Sequence, residues 1–319
     1  MPEKLPPENT LSDPKDSKIE TMRMYILVVL VTGLLFLMAS CEIINPEEAI
    51  PAYLFIPEFT LATEVETEGT NSHKITEAHV FVDNELIGIF TLPATVPVLK
   101  EGSQDIQIFP AIRANGLGDI TDIYPFYKRY RVTLDLLAGK VDTIRPLTEY
   151  IDNAKFSFGP QEGFEDGTLT FSIDLDGDPA TTIELTNQEV FEGSGAGLIQ
   201  LERADAQMEL GSNLITELPT ASSSTTYLEL DYKTDVSFLV GVLGYDSQGR
   251  IIYSLIDKGV NPKAEWNKIY FDFTEEMIDL FGVANELSGW RLVIISDLFD
   301  GEADQANIYL DNIKLVQFR

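Results

Sequence analysis

From residue 51 onward the chain is a succession of short runs rich in Val, Ile, Thr, Phe and Tyr, separated by turn residues. The runs recur at about ten-residue spacing, which is the pattern of all-β sandwiches and barrels. Tyr53 to Leu61, Ile75 to Asp83 and Glu85 to Phe90 come first, and Asp83-Asn84 is placed to make a tight hairpin turn, because Asp and Asn tolerate left-handed backbone angles. No long amphipathic helix interrupts the series. With 44% hydrophobic residues, roughly 270 residues can bury two cores of ordinary domain size.

The N-terminal part is of another kind. Met24 to Ala39 is almost wholly apolar, Arg23 stands just before it, and it ends in Leu37-Met38-Ala39-Ser40-Cys41, which holds the chain's single cysteine. Sixteen helical residues would span roughly 24 Å against a hydrocarbon core of ~30 Å, so length favours a cleaved signal over a membrane span. The ending resembles a bacterial lipoprotein signal, with Met38 where Leu is more usual, and it implies that Cys41 carries the lipid. The first 21 residues are polar and contain Pro2, Pro6, Pro7 and Pro14, so Met22 or Met24 is an alternative start. Residues 42–50 read as an acidic tether, with Glu42, Pro46, Glu47 and Glu48. It resembles the segment that sends some Gram-negative lipoproteins to the outer face of the outer membrane. The expectation is a lipid-anchored outer-membrane protein facing the cell exterior, with the membrane as partner only through its anchor. Lipidation uses up the only thiol, which leaves packing or bound ions to stabilise the body.

Acidic residues number 52 against 22 Lys and Arg, a formal charge of −30. That surface repels phosphates and anionic headgroups, which excludes nucleic acid as a partner. Calcium, cationic groups and neutral polymers stay admissible. The charge also serves to keep an exported protein soluble.

Two resemblances refine the architecture. Val80-Phe81-Val82-Asp83 through Gly88, the Leu92-Pro93 step and the Gly102-led run to Ile108 resemble the PEGA-like or carboxypeptidase-regulatory-like β-domains, over about residues 51–150. That resemblance implies packing, presentation or spacing and supplies no catalytic residue. In the second half Gly163-Phe164-Glu165-Asp166-Gly167, the Gly193 to Gly197 turn, Trp266 to Thr274 and Ile308-Tyr309-Leu310-Asp311-Asn312 resemble galactose-binding-like jelly rolls, which include many carbohydrate-binding modules. The expected fold class is therefore all-β, two sandwiches in series: signal region 1–41, tether 42–50, an Ig-like or PEGA-like sandwich over 51–150, and a jelly roll over 151–319.

The jelly-roll resemblance implies a structural calcium between first and last strands, for which Glu165 or Asp166 and Asp311 are the matching carboxylates. The other reading leaves Asp311 and Asn312 facing solvent on an edge strand. No cofactor is required. Asp174 to Asp178 begins like an EF-hand loop, but Pro179 and Leu185 fall where Gly and a carboxylate are needed, so the EF-hand reading fails and a hairpin turn is favoured over a calcium loop of another kind. Gly193 to Gly197 lacks a following Lys-Ser/Thr and is a β-turn rather than a phosphate loop. Only His73 and His79 exist, and the second half has none. Composition leaves a pair of glycosidase carboxylates open, but both modules resemble non-catalytic domains, so no enzyme is expected.

The function expected is ligand binding, with glycan the ligand and Tyr232, Tyr245, Tyr253 and Trp266 the candidate stackers, since aromatic faces bury the C–H surface of sugars. In the resembled fold that tryptophan often packs in the core. The aromatic and basic cluster Tyr124 to Tyr130 admits two readings, a sugar platform or a strand entry whose alternate rings are core. The alternative function is a structural or assembly subunit of an envelope protein complex, which needs an exposed apolar face. Aromatics clustered on one sheet face would favour glycan. A flat apolar edge near Tyr124 to Tyr130 would favour a protein partner.

Overall fold

The computed structural model describes residues 14–38, 48–116, 121–158, 164–220, 225–298 and 303–319. They fall into two units, Met1–Ile50 and Pro51–Arg319. The described residues of the first include the helix α1 (Pro14–Met38), and Cys41 lies outside the described residues. No helix among the described residues is long and apolar enough to cross a membrane.

The second unit is built from strands. In its first part β1 (Ala52–Ile56), β2 (Thr60–Ala62), β3 (Glu77–Val82), β4 (Glu85–Thr91), β5 (Ala94–Val98), β6 (Gly102–Ile112), β7 (Asp122–Ile123), β8 (Tyr130–Leu136), β9 (Val141–Thr143) and β10 (Leu147–Glu149) form three sheets. β3 and β4 make the expected hairpin, with Asp83 and Asn84 at φ 50° and 64°. Alternate residues of each strand turn inward, as strand geometry requires. Leu54, Ile56, Val80, Val82, Val96 and Ile108 thus meet in one core. β1 pairs parallel with β9 and β2 with β10, which ties the start of this part to its end.

In the second part β11 (Ala154–Ser157), β12 (Ile173–Asp174), β13 (Ile183–Thr186), β14 (Ala196–Glu202), β15 (Gln207–Gly211), β16 (Thr226–Thr234), β17 (Phe238–Tyr245), β18 (Ile251–Val260), β19 (Lys263–Asp272), β20 (Gly289–Asp297) and β21 (Gln305–Phe318) form a two-layer antiparallel sandwich. One layer runs β13-β14-β21-β16-β19 with β11 added on β21, and the other runs β12-β15-β20-β17-β18. Phe171, Leu230, Phe238, Phe271, Trp290 and Ile308 are among the side chains packed between them. The short helix α2 (Val65–Glu68) lies in the first part, and α3 (Thr274–Gly282) follows β19 and buries Met277 and Leu280.

The two parts share a boundary layer. On β16, Leu228, Leu230 and Tyr232 enter the second core while Tyr227 joins the first, beside Tyr270 and Val316. Both faces of β16 are therefore covered, and Glu229 and Asp231 on its outward side are fully buried.

Candidate functional site

The outward side of the six-stranded layer is divided in two. Period-two alternation places Glu229, Asp231 and Lys233 of β16, Trp266, Lys268 and Tyr270 of β19, and Tyr309 and Asp311 of β21 on that side. A register shift at β21, with Asn312 at φ 51°, then returns Lys314 and Val316 to it.

One half is covered by the N-terminal sandwich. Tyr124 donates its hydroxyl to Glu229 Oε1 at 2.7 Å, and Tyr150 donates to both oxygens of the same carboxylate at 2.9 and 3.0 Å. Lys268 Nζ lies 3.4 Å from Glu229 and 3.7 Å from Asp231. Ser72 and Asn312 also donate to Asp231, and Lys314 donates to the Thr70 carbonyl at 2.6 Å. Burial pushes the Tyr124 and Tyr150 hydroxyls far up, with the Glu229 charge adding to it. Burial pulls Lys314 down to about 8 and pushes Asp311 up to about 7, the latter against N–H donors that favour its ionised form.

Tyr124, Phe126 and Tyr127 are thus interior, while Lys128 and Tyr130 are half-buried and Arg129 is exposed. Tyr124 packs edge-on against Tyr127 and Tyr227 at centroid distances of 4.5 and 5.1 Å, and Phe126 against Phe318 at 4.8 Å. The core reading of that cluster holds, and it forms neither a sugar platform nor a docking edge.

The other half is open. Tyr309 and Lys233 are paired across β21 and β16, and Trp266 lies on β19 beside them. Trp266 meets Tyr309 at 6.3 Å and Phe191 at 5.7 Å. Phe191 is 40% exposed and comes from the loop joining β13 to β14. Glu189 of the same loop accepts from Trp266 Nε1 at 3.3 Å and pairs with Lys233 at 2.9 Å. Three aromatic rings with a polar pair at their rim form a half-buried platform.

The carboxylates expected to hold calcium hold this loop instead. Glu165 accepts from the Ser194 backbone at 2.8 Å, its hydroxyl at 2.6 Å and the Gly195 backbone at 3.3 Å. Those bonds hold its carboxyl below the usual range, the Ser194 hydroxyl foremost. Asp311 accepts from the Glu192 and Asn312 backbones at 3.2 and 2.8 Å. Asp166 accepts from Thr168 within its own turn. Among the described residues no group of three or more His, Cys, Asp or Glu converges to hold a metal ion. Calcium needs six to eight oxygens, and Glu165, Asp166 and Asp311 do not converge into such a group. The solvent-facing reading of Asp311 is corrected as well, since β21 is a central strand and Asp311 is fully buried.

The four proposed stackers do not share a face. Tyr232 is a correction: it is 3% exposed and its ring packs edge-on against Phe238 at 5.9 Å in the core. Tyr245 and Tyr253 belong to the other layer. There Tyr245 lies under the Arg291 guanidinium at 5.2 Å, and Tyr253 donates to Asp279 at 3.3 Å. Only Trp266 belongs to the platform, and it sits at the surface side of its strand rather than in the core. Phe191 and Tyr309 were missed. Tyr309 could have been read from its place between the core residues Ile308 and Leu310, which turns it outward.

No family model matches the chain, and no curated protein matches it. Among solved structures it is similar to a carbohydrate-binding module of the β-sandwich superfamily described for promiscuous specificity. That match has 14% identity and a TM-score of 0.35, and covers 75% of this chain and 84% of that one. It is also similar to the CBM22-1 xylan-binding domain of Paenibacillus barcinonensis Xyn10C, at 13% identity and TM-score 0.35, over 50% and 92%. A third is a family 11 module from Clostridium thermocellum in complex with a mixed-linked β-1,3-1,4 tetrasaccharide, at 11% identity and TM-score 0.36, over 51% and 94%. With TM-scores this low, the reading of this chain's site rests on its own side chains.

Proposed function

We propose that this protein is a non-catalytic glycan-binding lipoprotein, held at the outer face of the outer membrane through Cys41 and binding a neutral polysaccharide on the Phe191, Trp266 and Tyr309 platform. The observation that carries the reading is the grouping itself. Three rings from one loop and two strands meet on the uncovered half of a sheet face, and the Glu189–Lys233 pair stands at their edge. Ring faces take the apolar C–H surface of a sugar, and the flanking carboxylate and ammonium hydrogen-bond its hydroxyls. A neutral chain is indicated because the molecule carries −30, which disfavours long acidic polymers at a distance. Calorimetry with soluble β-glucan, xylan and galactan tests this. Saturable binding that weakens at least tenfold in Trp266→Ala supports it, and no binding by the folded protein to any of the three overturns it. The anchor is tested separately: Cys41→Ser should move the protein from the membrane fraction to the soluble one.

The envelope-assembly reading gains no observation, since the face it needed around Tyr124 is covered by the protein's own second sandwich.

A further inference from the structure

Where the loops of the N-terminal sandwich meet the edge strand β19, the structure leaves a cavity of about 330 Å³ whose charged lining residues are Lys74, Arg113, Lys263 and Lys268. Among the described residues no carboxylate lines it, in a chain with 52 acidic and 22 basic residues. Cations grouped around one cavity are costly to hold together unless each has an anion close by.

Carboxylates lie against two of the four, Arg113 and Lys268, and not against Lys74 or Lys263 among the described residues. Arg113 is committed to Glu77, with Nε 2.8 Å from Oε1. Lys268 is buried and faces Glu229 and Asp231 only at 3.4 and 3.7 Å, and its ammonium has no hydrogen-bond partner. Lys74 donates to the neutral amide of Asn267, and among the described residues neither Lys74 nor Lys263 forms an ion pair with a carboxylate. Burial pulls the Lys74 ammonium down, and Lys263 and Arg113 add to that. Two ammoniums are thus left facing one cavity.

The rest of the wall indicates which anion fits. Asn115, Asn261 and Asn267 are among its lining residues; the Asn115 and Asn267 carbonyls accept from the Asp272 backbone and from Lys74, and amides serve hydroxyl groups as both donors and acceptors. A phosphate would be better served by a helix N-terminus or by a free guanidinium fork. Here α2 and α3 contribute no residue to the wall, and the one guanidinium is taken by Glu77. A volume near the low end of small-ligand sites suits one or two sugar units. We infer that this cavity binds the carboxylate of a uronic acid, with Lys74 and Lys263 as the charge partners and the three asparagines meeting the ring hydroxyls. The site does not depend on the aromatic platform.

The full-length protein is titrated by calorimetry with digalacturonate, its methyl ester and inorganic phosphate, using the Lys74→Ala/Lys263→Ala double variant and Lys140→Ala as a remote control. Both cavity lysines are exposed, so the double variant keeps the fold, and its circular dichroism verifies this. The expected result is saturable binding of digalacturonate that weakens at least tenfold in the double variant and in the ester, stays unchanged in Lys140→Ala, and weakens as ionic strength rises. Absence of digalacturonate binding overturns the inference, as does equal binding of the ester or no effect of the double variant. Phosphate binding as tight as digalacturonate would make the cavity a general anion site and overturn the sugar assignment. Loss of neutral-glycan binding in Trp266→Ala leaves this result untouched, so the two sites fail separately.

Discussion

The Tyr124 hydroxyl donates to Glu229 Oε1 at 2.7 Å, joining a side chain of the N-terminal sandwich to the outward face of β16 across 105 residues of sequence. Tyr150 donates to the same carboxylate and Lys268 lies 3.4 Å from it, so Glu229 is the point where the two sandwiches are locked together. A buried carboxylate is stable only while such partners remain. Glu229→Ala would leave two buried tyrosine hydroxyls without this acceptor and Lys268 with Asp231 alone at 3.7 Å, and should cost about 3–5 kcal/mol. Tyr124→Phe removes one bond to a charged acceptor and should cost about 1.5–3 kcal/mol. Urea unfolding measures both. Because the lock is shared, wild type should unfold in one transition followed equally by far-UV and tyrosine signals. Separate transitions in wild type would show that the junction does not couple the sandwiches.

Asp311 gives the junction a pH dependence. Its carboxyl is pushed up to about 7 by burial, from a model-peptide value of 3.8. Between those values the folded protein keeps a proton that the unfolded chain has released, so this group's contribution to stability is full below pH ~4 and lost as pH rises through ~7. Unfolding free energy measured by urea at pH 5 and pH 8 should therefore fall more steeply in wild type than in Asp311→Asn. A variant slope equal to that of wild type would mean Asp311 is already ionised at pH 5.

The sandwich class was legible because strand alternation and turn chemistry are local: Asp83-Asn84 reads as a hairpin turn from two residues and adopts left-handed angles. The junction was not. In β16 the pattern Leu228-Glu229-Leu230-Asp231-Tyr232 is that of a strand with one wet face, and only a second sandwich lying on that face turns its acids into buried groups. The same event explains Tyr124 to Tyr130, where a local pattern admitted both a platform and a core. The expected stackers fell on different layers for a related reason. Alternation tells which residues share one strand face, but not which strands are neighbours or which loop folds back over them. Tyr309 therefore needed the β21 to β16 pairing, and Phe191 needed the loop held by Glu165.

Tyr232 and Trp266 should separate stability from binding. Tyr232 is 3% exposed in the core, so Tyr232→Ala should cost about 3–5 kcal/mol, the range of large aromatic truncations. Trp266 is half-buried at the surface, and its loss should cost less than half as much while abolishing polysaccharide binding. Denaturation and calorimetry on both variants decide this. Equal stability losses, or binding that survives Trp266→Ala, would remove the platform.

The loop that carries Phe191 should depend on Glu165 and on no metal. At Gly193 the backbone lies at φ 74°, and a Cβ there would collide with Glu165 Oε1, so Gly193→Ala strains the backbone and displaces the carboxylate together. The strain alone is worth about 1 kcal/mol. Glu165→Ala removes three acceptor contacts from the turn after Phe191. Because Glu165 is exposed, its stability cost should be about 1 kcal/mol, at the low end for bonds to a charged group. Binding should suffer more than stability in both variants, because Phe191 and Glu189 lose their fixed position while Trp266 and Tyr309 keep theirs on the strands. A chelator should leave the melting temperature unchanged, since N–H donors already fill the carboxylates a calcium ion would need. A fall in melting temperature with chelator, restored by calcium, would return Glu165 and Asp311 to the role of metal ligands.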